Sequence, residues 1–167
     1  RNGDALAVAS AELKSDREVV LAAVSQCADA LRYASGELQK DREVVLKAVI
    51  RDWTAILQAT EDLCADREII TRAVMQNGRA LQYGSLPLRN DREVVMKAVT
   101  QSGMALQFAS RAIRADRDIV FKAMSSCISS VDYADESILR DGTFLISAFD
   151  DLNVWLAVTD ACLQQCS

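Results

Sequence analysis

The chain has no histidine, a single proline (Pro87) in 167 residues, and aromatic side chains at only 5%. Without imidazole there is no Ser–His or Cys–His dyad and no histidine metal ligand, which removes the commonest routes to nucleophilic and zinc-dependent catalysis. The five cysteines, Cys27, Cys64, Cys127, Cys162 and Cys166, are odd in number and lack paired spacing. They read as free thiols acting as small hydrophobes, not as a disulfide framework or a zinc set. No apolar run approaches the roughly 18 residues that a membrane span needs. Nor is there a Gly-rich phosphate loop, a nucleophile elbow or an isolated carboxylate pair. No catalytic residue, metal ligand or cofactor is expected, and the chain reads as not an enzyme. Its 19 basic residues are outnumbered by 24 acidic ones, for a net charge of −5. That balance disfavours a surface tracking nucleic-acid phosphates.

What the chain has instead is repetition. The pentapeptide DREVV stands at 16–20, 41–45 and 91–95, with looser copies DREII at 66–70, DRDIV at 116–120 and DGTFL at 141–145. The leading Asp16, Asp41, Asp66, Asp91, Asp116 and Asp141 lie 25 residues apart each time, without insertion. A fixed period of that size is the signature of an array whose core is buried between neighbouring units. With the Asp as position 1, the chain is one helical-repeat array. It holds a partial unit at 1–15, full units at 16–40, 41–65, 66–90, 91–115 and 116–140, and a degenerate terminal unit at 141–167. Arg1 falls in mid-repeat with no initiator Met, so a fragment or processed part of a longer protein is expected.

Positions 4, 5, 8 and 9 are apolar in every full unit, as in Val94, Val95, Ala98 and Val99. That spacing builds one face of a helix, whereas a strand would alternate. Asp at position 1 suits an N-cap, and Glu at position 3 suits the positive helix end. Arg follows the Asp in five units, so the charged triplet reads as capping plus ion pairs between units, not as a ladder of metal ligands. Asn77-Gly78 and Ser102-Gly103, at positions 12 and 13, mark the end of this helix, where Gly is expected to turn left-handed. A second apolar set follows at positions 15, 16, 19 and 23, such as Ala80, Leu81, Gly84 and Leu88. An aromatic joins it at position 18 in four units (Tyr33, Tyr83, Phe108, Tyr133). Ser, Thr or Asp at position 20 suits a cap, and Pro87 fits the first turn of the short segment after it. Each unit is expected to hold a helix of about ten residues, a second of about seven and a short turn. The fold is therefore expected to be all-α, an α-solenoid of 25-residue helix–turn–helix repeats.

These units, of the form D-x-E-V-V-L-x-A-V-x-x-x-G-x-A-L-x-x-A-S-x-x-L, resemble a domain of unknown function found in tandem in many protists, algae and some bacteria. The stretch 91–113, DREVVMKAVTQSGMALQFASRAI, matches almost throughout. The resemblance covers nearly the whole chain and implies an all-α helical repeat, with no activity to transfer. Trp53 and Ile128 depart from the pattern at the Gly position, Gln58 at the aromatic one and Trp155 at small position 15.

Interaction, not chemistry, is where function is expected. Positions 10–14 are mostly polar, yet Ile50, Trp53, Met75, Met104, Ile128 and Val154 fall there. Stacked units would set them along one edge as an apolar stripe of the kind that marks partner sites; alternatively they pack between units. The terminal unit, with Phe144, Leu145, Ile146, Phe149, Leu152, Trp155 and Leu156, is more apolar than an end cap should be and suggests docking. The candidate partner-binding residues are thus Ile50, Trp53, Met75, Met104, Ile128, Phe144, Phe149 and Trp155. Lys47, Arg72, Lys97 and Lys122 form a basic row at position 7, read as solvated helix surface. Weak binding to nucleic acid or an anionic surface is the lesser reading of that row. The expectation is a non-enzymatic protein-binding scaffold, or a structural subunit within a larger chain or assembly, with a passive stabilising linker or spacer as runner-up. Its partners are expected to be proteins, not nucleic acid. A membrane-associated assembly stays compatible with the absence of a spanning segment.

Overall fold

Each leading Asp begins a helix for a reason visible in its hydrogen bonds. The computed structural model describes residues 3–151, with side chains from residue 5. In it, Asp41 Oδ1 accepts from the backbone N–H of Glu43 (2.9 Å) and Val44 (3.1 Å), satisfying two donors that the first turn leaves unpaired. The same cap recurs at Asp16, Asp66, Asp91 and Asp116. The long α-helices that follow are Arg17–Gln26, Arg42–Arg51, Arg67–Gln76, Arg92–Gln101, Arg117–Ser126 and Gly142–Asp151, of ten residues each.

The second element of each unit is tighter than expected. It is a 3-10 helix of six residues, as in Gly78–Tyr83 and Gly103–Phe108. A short α-helix then leads to the next Asp: Glu61–Cys64, Leu86–Arg89, Arg111–Arg114 and Glu136–Leu139. In the first full unit this piece is the 3-10 turn Leu38–Lys40. Pro87 sits in the first turn of Leu86–Arg89, as its spacing predicts. The expected position-20 caps are mixed: Ser110 and Asp135 accept from backbone amides through their side chains, whereas Thr60 and Ser85 do not.

Long helix packs on long helix of the next unit, and 3-10 segment on 3-10 segment, giving two layers with the core between them. Val44, Val45, Ala48 and Val49 are fully buried, as are their equivalents in the next three units, and Leu31, Ile56, Leu81 and Leu106 meet them from the 3-10 layer. Burying each Val, Leu or Ile contributes about 1.5–3 kcal/mol before chain entropy is charged against it, so this seam dominates stability. The tyrosines and Phe108 at position 18 are half-buried against it. Among the described residues there is no strand, and no helix is long and apolar enough to cross a membrane. The chain is an all-α repeat solenoid.

One local expectation is corrected. The residue closing each long helix is extended, not left-handed: Asn77 has φ −146° and Ser102 φ −154°. Gly78 and Gly103 follow as the first residues of the 3-10 helices. Their missing Cβ serves close approach, since a Cβ on Gly78 would lie 2.3 Å from the carbonyl oxygen of Ala98, and one on Gly103 the same distance from that of Ala123. The neighbouring helix occupies the space a side chain would need.

Candidate functional site

The charged triplet at the head of each unit forms a ladder. Arg17 bridges Asp41 and Glu43 of the next unit, Arg42 bridges Asp66 and Glu68, Arg67 bridges Asp91 and Glu93, and Arg92 bridges Asp116 and Asp118. Arg42 Nε to Asp66 Oδ2 is 2.6 Å, and Arg92 Nε to Asp116 Oδ2 is 2.9 Å. Each interior Asp therefore caps its own helix with Oδ1 and receives a guanidinium on Oδ2. Arg17 and Arg67 hold the carboxyls of Asp41 and Asp91 below the usual range. At Asp66 and Asp116 partial burial is the largest single influence and pushes upward, yet Arg42 or Arg92 and the capped amides together outweigh it. These pairs face water, so each adds little stability alone; the same pair recurs at each of the four junctions.

A second strut was not legible as such in the sequence. The Gln76 side chain reaches back to the preceding unit, donating to the carbonyl of Val49 (2.6 Å) and accepting from the amide of Trp53 (3.0 Å). Gln101 repeats this, accepting from the Gly78 amide (2.7 Å) and donating to the Gln76 carbonyl (3.1 Å). Position 11 thus pairs backbone groups left over where one helix type gives way to the other. A further bridge is pure backbone: the amides of Ser85, Ser110 and Asp135 donate to the carbonyls of Cys64, Arg89 and Arg114.

The candidate partner residues separate into two groups. Ile50 and Met75 are the outward-facing members, 50% and 58% exposed, at position 10 of consecutive units. Trp53 and Ile128 are half-buried and packed against the core, and Met104 is half-buried. Positions 10 and 13 therefore point different ways: among the described residues Ile50 and Met75 face outward, while Trp53 and Ile128 follow the alternative of packing inward. The outward row itself stops at two residues, because Thr100 and Ser125 occupy the next places. Phe144 and Phe149 are half-buried and pack on the core, with the Arg117 guanidinium 5.9 Å from the Phe144 ring centroid. Ile146, beside them, is 55% exposed. Trp155 and Val154, with Cys162 and Cys166, lie outside the described residues.

The outer face of the long helices holds what position 10 alone missed. Position 6 carries Leu21, Leu46, Met96 and Phe121, half-buried against the core. Met75 and Met96 line a groove of ≈ 340 Å³ with Lys97, Thr100 and Gln101. A second groove of ≈ 390 Å³, lined by Met96, Phe121, Phe144 and Ala148, continues one unit on, with Arg117 and Lys122 at its edge. The basic row at position 7 is interleaved with Glu43, Glu68, Glu93 and Asp118 four residues earlier, and Lys97 pairs with Glu93 at 3.5 Å. That face is of mixed charge, not a basic track.

Chemistry is sparse. Cys27, Cys64 and Cys127 are free and half-buried; burial pushes the Cys64 thiol up, aided by Glu61 nearby, which makes it a poor nucleophile. Among the described residues no cluster of three or more His, Cys, Asp or Glu side chains could hold a metal ion. No curated protein and no solved structure matches the chain. The profile of one family does, described as Domain of unknown function (DUF4116), over residues 1–39, 41–89, 66–114 and 91–140. Those matches advance by one 25-residue unit between the last three, in step with the stacked helices, and the chain belongs to that family.

Proposed function

We propose that the chain is a non-enzymatic scaffold that binds protein through the outer face of its long helices. The observation that carries this reading is the juxtaposition of exposed Ile50 and Met75 on consecutive units with the Met75–Met96 groove beside them. Apolar groups of this size left in water beside a concave floor are the surface type that partners cover, and methionine adapts to varied shapes. The mixed charges on either side supply a polar rim.

Crosslinking and mass spectrometry on the native chain, paired with an Ile50→Glu/Met75→Glu variant, tests it. Both side chains are exposed, so the variant should melt like the parent. Crosslinks to a foreign chain should fall along 46–104, and the variant should lose that partner at least about tenfold, the effect of two lost anchors. A partner held equally by the variant, or a parent chain that stays monodisperse with none, would favour the passive spacer.

A further inference from the structure

Position 6 lines the furrows between neighbouring long helices, with Met96 and Phe121 in their units where unit 66–90 has Thr71. Between Arg67–Gln76 and Arg92–Gln101 the side chains of Arg67, Glu68, Thr71, Arg72, Met75 and Lys97 enclose a groove of ≈ 450 Å³. It runs into the Met75–Met96 groove, since Met75 and Lys97 line both. The two ends differ in chemistry. One is apolar, at Met75 and Met96. At the other, Arg67, Arg72 and Lys97 stand against Glu68 alone. The carboxylates there are already engaged: Arg42 holds Glu68, and Arg67 with Lys97 holds Glu93. Arg72 is exposed and has no ion pair among the described residues. The Thr71 hydroxyl is buried without a partner among the described residues, although Ser25, Thr100 and Ser125 each donate theirs to the carbonyl four residues back. Threonine on a helix has two accessible χ1 settings, so hydroxyl and methyl can exchange places and offer a donor to an acceptor seated in the groove.

We propose that this furrow takes an acidic amphipathic helix of a partner protein. Its glutamate or aspartate sits at the Thr71 notch, and a large apolar side chain one turn away covers Met75 and Met96. The proposal names the partner segment of the scaffold reading and rests on that reading. The spacing comes from the chain itself. Thr71 and Met75 lie four residues apart on one helix, about 5–6 Å between Cβ atoms, which is also the separation of i and i+4 side chains on a helix laid alongside. Arg72, free of carboxylates, and Lys97 across the furrow supply the complementary charge. A nucleic-acid backbone is the poorer match, because position 3 sets a carboxylate beside the cations in every interior unit.

The test displays alanine-rich helical peptides of about 15 residues, randomised on one face, and selects them against the native full chain. Selected sequences should carry Glu or Asp one turn from Leu, Ile, Met or Phe. Measured as free peptides by fluorescence anisotropy, they should bind Arg72→Glu at least about tenfold more weakly, and lysine in place of their acid should recover that variant. Thr71→Leu copies Leu46 of the preceding unit and removes an unpaired hydroxyl. It should melt no lower than the parent, yet lose about tenfold in affinity. No enrichment, selected peptides without an acid, or affinities untouched by Arg72→Glu and Thr71→Leu would overturn the proposal. So would a single-stranded RNA oligonucleotide that displaces the peptides, or a concentration-dependent dimer of the chain that Thr71→Leu abolishes. Peptides lost on Ile50→Glu/Met75→Glu but indifferent to the other two variants would leave the scaffold reading standing and sink this one alone.

Discussion

Two successive interfaces share one frame and are held together differently. Between units 91–115 and 116–140, Arg92 spans two carboxylates, and Gly103 lies against the Ala123 carbonyl with its amide donating to Ser126 Oγ at 3.1 Å. Ala105 and Leu106 behind it are fully buried. In the next unit along, Arg117 reaches one carboxylate, Asp141, and lies over the Phe144 ring. There Ile128 stands where Gly103 would, Val131 is half-buried where Leu106 is sealed, and Ser130 replaces the small alanine. The Ser130 hydroxyl is buried without a hydrogen-bond partner among the described residues. Both interfaces keep the long-helix register, so the array depends on spacing, while the fit within each contact is open to exchange.

The largest effect should come from closing the tight contact. Gly103→Val places a branched side chain where the Ala123 carbonyl and the Cys127 amide leave no room, at 2.3 and 3.1 Å from an ideal Cβ. The turn must lift off the neighbouring helix, at a cost of about 3 kcal/mol, read from urea unfolding. Gly36, with nothing within 4 Å of its ideal Cβ, is the control: Gly36→Ala should be neutral, or stabilising by about 0.4–1 kcal/mol through the unfolded state. Equal losses for the two would mean that glycine matters here for chain freedom and not for approach.

This contact also shows where sequence reading ends. The period, the Asp cap, the apolar set of the long helix and the inter-unit role of the arginines follow from local chemistry repeated at one spacing, so they were legible. The reason for Gly78 and Gly103 was not, because a missing Cβ looks the same in a left-handed turn and under a neighbouring helix. Nor did the sequence separate Ile50 and Met75 from Trp53 and Ile128: three residues along a helix end, across a change from α to 3-10 winding, turn a side chain from water to core. The Gln76 and Gln101 clips left no local signal in the sequence, since their partners are backbone groups of another unit.

Next in size is the ladder. Asp91→Ala removes a cap and a guanidinium partner together and should cost about 1–2 kcal/mol. Asp16→Ala removes a cap alone and should cost less. The same groups set the acid limit. Arg17 and Arg67 depress the carboxyls of Asp41 and Asp91, and the Ser137 amide with Arg111 takes Asp135 down to about 2. A group with a depressed folded pKa contributes stability above its unfolded value of about 3.9, and that contribution is lost as pH falls through the folded value. Stability should hold level from pH 7 to 5 and decline below pH 4, and Arg67→Ala should make that decline shallower. An unchanged acid profile would mean that the ladder sets spacing without contributing free energy.

The smallest change should have the opposite sign. Ser130 is fully buried, its Oγ has no partner among the described residues, and alanine fills the equivalent place at Ala55, Ala80 and Ala105. Replacing the hydroxyl by hydrogen removes an unpaired polar group at no cost in packing that the other units do not already bear. Ser130→Ala should therefore stabilise the chain by about 1 kcal/mol, the lower end of the penalty for an unsatisfied buried hydroxyl. The gain should be local, slowing amide exchange in 117–133 more than in 67–83. Loss of stability instead would mean that the hydroxyl is satisfied by a buried water, and that the looser interface is specified as closely as the tight one.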